Sequence, residues 1–135
     1  MSLAVGLVAE ITRVVAETDT AAAYGSGLVP VLSTPHLIAL MEGAAQAVIV
    51  PYLDEGQTAV GTRVDMKHLA ATPVGMEVRV RAELVEIDRR RLTFHIEAWD
   101  EAERIGEAEH DRFVIDTERF LRGIGEKAGK RSTQQ

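Results

Sequence analysis

Three polar side chains, Thr34, Glu42 and His68, are the candidates for chemistry in this sequence. Glu42 lies midway along an otherwise apolar stretch, TPHLIALMEGAAQAVIV, and an ionised carboxylate taken out of water needs a partner or acquires a raised pKa. With a raised pKa, Glu42 could act as a general base on water or as an attacking carboxylate. The alternatives are a structural carboxylate held by hydrogen bonds and a side chain that reaches solvent. The residue types therefore predict that Glu42 is either paired or catalytic.

Thr34 and His68 stand where predicted elements begin and end. Thr34 starts a predicted helix, where free backbone N–H groups and the helix dipole favour a developing negative charge, such as an oxyanion formed from a carbonyl. Its alternative role is that of a plain N-cap. His68 closes a predicted strand, a common place for site residues, although a single histidine is often incidental. On the last predicted strand, His110 and Arg112 share a face and either enter a pocket or pair with carboxylates.

The spacing between Thr34 and Glu42 limits how they can cooperate. Eight residues of an α-helix rise ~12 Å, so the two side chains cannot touch within one straight helix. They can serve one site only if a substrate stretches between them, if the helix start is unwound, or if two protomers each contribute a residue. This separation favours a site at a dimer interface.

The stretch from Thr34 to Val50 predicts one long helix that is apolar almost all round. Thr34 is expected to cap it, and Pro35 suits the first helical position because its missing N–H costs nothing there. Pro51 is expected to end or kink the helix. A helix of this kind must be covered on every side, so it is expected to form the core of the domain.

The remaining elements read as strands that wrap this helix. A first strand is predicted from Val8 to Glu17, followed by a loop that is either a lid or a surface segment carrying a short helix. Alternating apolar residues predict four antiparallel strands after the helix, with Gly61 either a bulge or a point of close backbone approach: Thr58–Leu69, Met76–Asp88, Arg91–Trp99 and Arg104–Asp116. The fold class is therefore α+β, with an antiparallel sheet of about five strands around one long central helix.

Length and composition set the limits of function. The 135 residues predict one domain over residues 1–120, with the end of a helix and a disordered tail over 121–135. A net charge of −6 argues against nucleic acid as a partner. The lack of cysteine excludes thiolate chemistry and fits a reducing cytoplasm. The longest apolar run is too short to cross a membrane, and the N-terminus lacks the basic region of a secretory signal. Because sheet edges must be covered, a homodimer is expected.

Several motifs carry a resemblance to a known family over about residues 34–120. They are LMEGA in the helix, PYLDEGQTAVGT after it, HLAATPVGMEV, RRRLTFHIEAWD and IGEAEHDRFVI in the last strand. With these motifs the sequence resembles hot-dog-fold acyl-CoA thioesterases, most closely the fluoroacetyl-CoA thioesterase-like group. The resemblance implies a hot-dog fold in which the sheet wraps the central helix.

The resemblance also implies an activity and a set of site residues. The activity is hydrolysis of a short acyl-CoA to the free acid and coenzyme A, without a metal or another cofactor. The family's catalytic threonine, glutamate and histidine match Thr34, Glu42 and His68. Its glycine whose backbone faces the thioester matches Gly61, and its arginine that faces the acyl pocket matches Arg112. A homodimer or a dimer of dimers is the expected assembly.

One departure and two alternatives accompany this interpretation. Gly25 and Leu28 stand where fluoroacetyl-specific members carry lid phenylalanines, so a general small acyl-CoA thioesterase is favoured over a fluoroacetyl-selective one. The first alternative is a non-catalytic acyl-CoA-binding module, which would keep the pocket without needing Thr34, Glu42 and His68. The second is an enoyl-CoA hydratase-like enzyme, whose Asp and His five positions apart at the helix start are not found here.

Overall fold

The computed structural model describes residues 2–131. In chain order the elements are β1 (Val8–Val14), α1 (Ala21–Tyr24), α2 (Thr34–Ile49), β2 (Gln57–His68), β3 (Glu77–Asp88), β4 (Arg91–Trp99), β5 (Arg104–Asp116) and α3 (Thr117–Lys130), with 3₁₀ turns at Glu17–Asp19 and Val50–Tyr52. The four strands predicted after the helix are found within one residue of their expected bounds. The first strand is shorter than predicted, because the chain turns into the first 3₁₀ turn.

The five strands form one antiparallel sheet in the order β1-β3-β4-β5-β2. Helix α2 packs against one face of it, in contact with β1, β2, β3 and β4. This confirms the predicted α+β hot-dog arrangement. Strand β2 is the last in the order, so within the described residues it has a neighbouring strand on one side only.

The core lies between α2 and the inward faces of the strands. The predicted inward residues of β3 and β4 are almost completely buried, which confirms the alternation: Val78, Val80, Ala82, Leu84, Leu92, Phe94, Ile96 and Ala98. From α2 they meet Leu37, Met41, Ala44, Ala45, Val48 and Ile49. Full burial of each large apolar side chain contributes roughly 1.5–3 kcal/mol to the stability of the folded state. No helix within residues 2–131 has the length and apolar character needed to span a bilayer.

The start of α2 differs from the prediction in its capping residue. Ser33, and not Thr34, is the N-cap, since its hydroxyl oxygen accepts a hydrogen bond of 3.1 Å from the N–H of His36. Thr34 is the first helical residue and Pro35 the second. Because Ser33 supplies the cap, the Thr34 hydroxyl is available for another contact. At the other end α2 stops at Ile49, before Pro51, as expected.

One face of α2 is bare in the single chain, so the prediction that the helix is covered on every side is wrong for one protomer. Small residues spaced four apart lie exposed along this face: Pro35, Ala39, Gly43 and Ala47. The sheet covers only the opposite face. The bare face of α2 is therefore an apolar surface without a cover inside the described chain.

A β-bulge interrupts β2 between Gly61 and Arg63, as the glycine predicted. It is held on the outer face of the sheet by Asp111, whose carboxylate accepts hydrogen bonds from Arg63 Nε at 3.0 Å and from Thr93 Oγ1 at 2.8 Å. The hydroxyl of Thr62 donates to the carbonyl of Asp111 at 3.2 Å. The bulge is therefore fixed in position from the solvent side of the sheet.

The two segments outside the sheet and core are α1 and α3. The loop before α2 does carry the short helix α1, which ends at Gly25 with φ at +70°. Helix α3 is amphipathic and follows β5 directly, and it continues to Lys130, further than the short helix expected. The remainder of the predicted disordered tail, residues 132–135, lies outside the described residues.

Candidate active site

The structure brings Thr34 and His68 together. Thr34 Oγ1 lies 2.8 Å from Nδ1 of His68, within hydrogen-bonding distance. Thr34 stands at the start of α2, and His68 is the last residue of β2, so the helix start and the strand end meet at this point. With Ser33 as the cap, the alternative that Thr34 is a plain N-cap is wrong. A hydroxyl bonded to an imidazole is an arrangement that can transfer protons.

The environment of His68 keeps its ring neutral near pH 7. Burial lowers the pKa of His68 below the ordinary value of 6.5, while the backbone of Ala70 acts in the opposite direction. The second ring nitrogen, Nε2, is buried and makes no hydrogen bond of normal geometry within residues 2–131. A neutral imidazole ring can take up a proton and then pass it on.

An open pocket of about 470 Å³ adjoins Thr34 and His68. Its walls come from α1 and the loop after it (residues 21–31, the α1 segment), the start of α2 and the residues after β2: Ala21, Ser26, Val31, Leu32, Ser33, Pro35, Leu69, Ala70 and Ala71. The α1 segment thus forms one wall of the pocket. The Tyr24 hydroxyl, 2.9 Å from Nδ1 of His36, ties this segment to α2.

The first turn of α2 leaves one backbone donor free. The N–H of His36 bonds to the Ser33 hydroxyl, the N–H of Leu37 bonds to the Ser33 carbonyl, and Pro35 has no N–H. The Thr34 N–H has no hydrogen-bond partner in the described part of the chain. It lies at the positive end of the helix dipole, where a negative charge is stabilised.

Glu42 lies away from this pair, as the helix spacing required. Within the described chain no hydrogen bond joins it to Thr34 or His68, and its Oε2 instead lies 3.4 Å from Nη1 of Arg112. The side chain is 40% exposed. Glu42 is therefore paired on one side and open to solvent on the other. The expectation that this carboxylate is taken out of water by the apolar helix is therefore wrong, and the alternative of a side chain that reaches solvent is the one found.

Arg112 is the cationic partner and is almost fully buried, with 8% of its surface exposed. Its Nη2 donates a hydrogen bond of 2.9 Å to the carbonyl of Ala59, and its Nη1 also lies 3.2 Å from Nε2 of His110. The Nε atom has no partner within residues 2–131. Burial lowers the pKa of Arg112 and the carboxylate of Glu42 opposes this, so the guanidinium remains charged.

Gly61 leaves the space into which the Glu42 carboxylate fits. A Cβ atom at this position would lie 2.7 Å from Glu42 Oε2, 3.3 Å from Cε1 of His110 and 3.4 Å from Nη1 of Arg112. The first distance is shorter than real contacts allow. The backbone of the bulge and the carboxylate can therefore approach each other only because residue 61 has no side chain.

His110 is a site residue whose position the sequence alone leaves open. It is 1% exposed, and its Nδ1 lies 2.7 Å from the carbonyl oxygen of Arg63. Burial lowers the pKa of His110, the bond to Arg63 acts against this, and the charge of Arg112 lowers it further. The signal for it was the alternation that put His110 and Arg112 on one face of β5. Within residues 2–131, no three His, Asp or Glu side chains converge as metal ligands.

The comparisons with known proteins agree on one family. The family described as fluoroacetyl-CoA-specific thioesterase matches residues 15–118. A fluoroacetyl-CoA thioesterase from Streptantibioticus cattleyicolor is 38% identical over 97 residues, which are 72% of this chain and 70% of that protein. A solved fluoroacetyl-CoA thioesterase superposes with a TM-score of 0.88 at 32% identity, covering 94% and 98% of the two chains. A Thermus thermophilus thioesterase superfamily member gives a TM-score of 0.89 at 27% identity over both full chains.

Proposed function

Since the chain belongs to the fluoroacetyl-CoA-specific thioesterase family, we propose that Thr34 and His68 form one half of its active site and that Glu42 of the partner subunit in a homodimer forms the other. The protein is a thioester hydrolase that acts on acyl-CoA. The observation that carries the proposal is the 2.8 Å contact between Thr34 and His68 beside a free backbone N–H.

The chemistry assigned to these groups is addition of water to the thioester. The carbonyl oxygen accepts a hydrogen bond from the Thr34 N–H at the positive end of α2, which stabilises the negative charge that develops there. The carboxylate of Glu42 takes a proton from water as the water oxygen bonds to the carbonyl carbon. The carbon–sulfur bond then breaks, and the proton passes through His68 to the departing coenzyme A thiolate. Thr34 Oγ1 holds the ring of His68 in place.

Three observations support a site shared between two subunits. Thr34 and Glu42 are separated by eight residues of one helix, which is ~12 Å. The face of α2 that carries Pro35, Ala39, Gly43 and Ala47 is bare. Strand β2 has a free edge in the described chain, and such an edge pairs readily with another strand. A two-fold axis beside β2 would cover both surfaces and bring Glu42 of the partner subunit toward Thr34.

The proposed substrate is a small acyl-CoA without selectivity for fluorine. The α1 segment carries Gly25 and Leu28 where selective members have phenylalanines, and Leu28 is 98% exposed, so it fills no part of the pocket within one chain. A hydroxyl, an imidazole and a carboxylate supply the acid and base groups, so the proposed reaction uses no cofactor. The sequence has no cysteine, which is compatible with the proposed cytoplasmic location.

The test is thiol release from a panel of acyl-CoA esters that includes acetyl-, propionyl-, butyryl- and fluoroacetyl-CoA. We expect Glu42→Ala, His68→Ala and Thr34→Val to reduce turnover by at least about a hundredfold each. His95→Ala is the matched control, because that side chain lies on the outer face of β4 and is 48% exposed. Binding of the esters without thiol release would favour the non-catalytic binding module, and full activity of His68→Ala would contradict the proposed roles.

A further inference from the structure

We propose that His110 is a positioning residue for the thioesterase reaction, one that holds the guanidinium of Arg112 in place against Glu42 and does so only as a neutral ring. The proposal rests on the proposed function in one respect, the catalytic role of Glu42. Neither the family resemblance nor the helix spacing assigned a role to His110. Its contacts assign one.

The hydrogen-bond partners of His110 fix its tautomer. Nδ1 lies 2.7 Å from the carbonyl oxygen of Arg63, which can only accept, so Nδ1 carries the hydrogen. In a neutral ring, Nε2 is then an acceptor. It lies 3.2 Å from Nη1 of Arg112, a group that can only donate. Both bonds are satisfied in the neutral Nδ1–H tautomer alone.

Arg112 depends on this acceptor because few other contacts fix its guanidinium. The carbonyl of Ala59 holds Nη2, and the Nε atom has no partner within the described residues. Nη1 is shared between His110 at 3.2 Å and Glu42 at 3.4 Å. Without His110 the plane of the guanidinium is held by one carbonyl and by a carboxylate that is itself partly exposed. The position of Glu42 then loses its fixed partner.

The same ring links Arg112 to the β-bulge. Arg63, whose carbonyl accepts the Nδ1 hydrogen, is the bulge residue that follows Gly61 and Thr62, and Gly61 is the residue against which Glu42 packs. His110 thus sets two sides of the space that the Glu42 carboxylate occupies. The groups that face the ring are Glu42 from α2, the Arg63 carbonyl from β2, Phe94 from β4 and Arg112 from β5, and the charge of Asp111 acts on it from the outer face of the sheet.

Protonation of His110 would destroy the arrangement. A second ring hydrogen on Nε2 would point at a cationic donor 3.2 Å away, and the two positive groups would repel each other. Arg112 would move, and the partner of Glu42 would move with it. Catalysis is therefore expected to be lost in acid through two histidines, with His110 acting through position and His68 through its own chemistry.

Two conservative variants separate the two bonds of His110. His110→Gln keeps an acceptor at the position of Nε2 and loses the donor to Arg63. His110→Asn keeps a donor at the position of Nδ1 and does not reach Arg112. His95→Gln, on the outer face of β4, is the control. Each variant is measured with acetyl-CoA over a pH series, and thermal unfolding checks that it is folded.

We expect His110→Asn to lower kcat by about 10- to 100-fold with little change in KM, because a displaced carboxylate affects turnover more than binding. His110→Gln should keep kcat within about fivefold and should lower by one the number of protons whose uptake defines the acid limb of kcat/KM. In the wild-type protein, ¹⁵N spectra of the ring should give the Nδ1–H tautomer at pH 7.

Equal losses in the two variants, an unchanged acid limb in His110→Gln, or an Nε2–H tautomer would each overturn the proposal. Failure of the proposed function has a different signature, which is full activity of His68→Ala or Glu42→Ala. The ring spectra and the comparison of Asn with Gln at position 110 would still decide whether His110 positions Arg112.

Discussion

Gly61→Ala tests how closely the backbone of β2 must approach the Glu42 carboxylate. The added Cβ would lie 2.7 Å from Oε2, about 0.7 Å less than the 3.4 Å at which ordinary contact begins. The φ angle at Gly61 lies outside the left-handed region, so alanine brings no backbone strain there. The substitution therefore acts first through its steric effect on the carboxylate, and to a smaller extent on the His110 ring, whose Cε1 would lie 3.3 Å from the added Cβ.

The size of the effect follows from that displacement. Relief of the clash moves Oε2 by roughly 0.7 Å, and displacements near 1 Å at a reacting group can cost about a hundredfold in rate. We expect kcat/KM for acetyl-CoA to fall by about 10- to 100-fold. The free energy of unfolding should change by less than about 1 kcal/mol, because a partly exposed ion pair such as Glu42–Arg112 contributes little to stability.

The assay is thiol release combined with a double-mutant cycle. Gly61→Ala is measured alone and in a Glu42→Gln background, and size-exclusion chromatography checks that assembly is unchanged. If the alanine acts through the carboxylate, its effect should disappear once the carboxylate is gone. Wild-type kcat/KM in Gly61→Ala, or the same loss in both backgrounds, would refute the steric account.

Three further predictions concern stability and its dependence on pH, each measured by urea denaturation. Ser33→Ala should lower the free energy of unfolding by about 1 kcal/mol through loss of the cap, whereas Thr34→Val should leave it nearly unchanged. A larger loss of stability in Thr34→Val than in Ser33→Ala would show that Thr34 is the cap. Burial lowers the pKa of His110, so below pH 6.5 the unfolded chain binds more protons than the folded one. The free energy of unfolding should therefore fall as the pH decreases in that range, by up to about 1.4 kcal/mol per pH unit for this group. This fall should be smaller in His110→Gln. Asp111→Asn should cost about 1.5–3 kcal/mol at pH 7, since its two side-chain donors lose a charged acceptor; an unchanged midpoint would contradict the role given to Asp111 at the bulge.

The fold could be predicted from the sequence because the alternation of apolar residues and the positions of glycine and proline indicate the same elements. Alternation in β3 and β4 identified the buried faces, and Gly61 marked the bulge in β2. The start of α2 was harder, because Ser33 and Thr34 are both good caps and adjacent. The choice between them is made by tertiary contacts, in which the Thr34 hydroxyl bonds to a histidine 34 residues away.

The residues that form the site could be predicted from the sequence, but the contacts between them could not. The spacing on α2 correctly separated Thr34 from Glu42. It could not indicate that Arg112, on a strand 70 residues further along, would pair with Glu42, because that pairing depends on the registers of β2 and β5 across the bulge. His110 was ambiguous for the same reason, since alternation gives the face of a side chain and not its partner.

The measurement that tests the central claim most directly is complementation between two inactive subunits. Glu42→Ala and His68→Ala chains are coexpressed with different tags, and the heterodimer is purified. If Glu42 of the partner subunit completes the site of Thr34 and His68, one of the two sites in the heterodimer is intact, and about half of the wild-type turnover should return. A heterodimer as inactive as either parent, or a fully active monomer, would contradict the shared site.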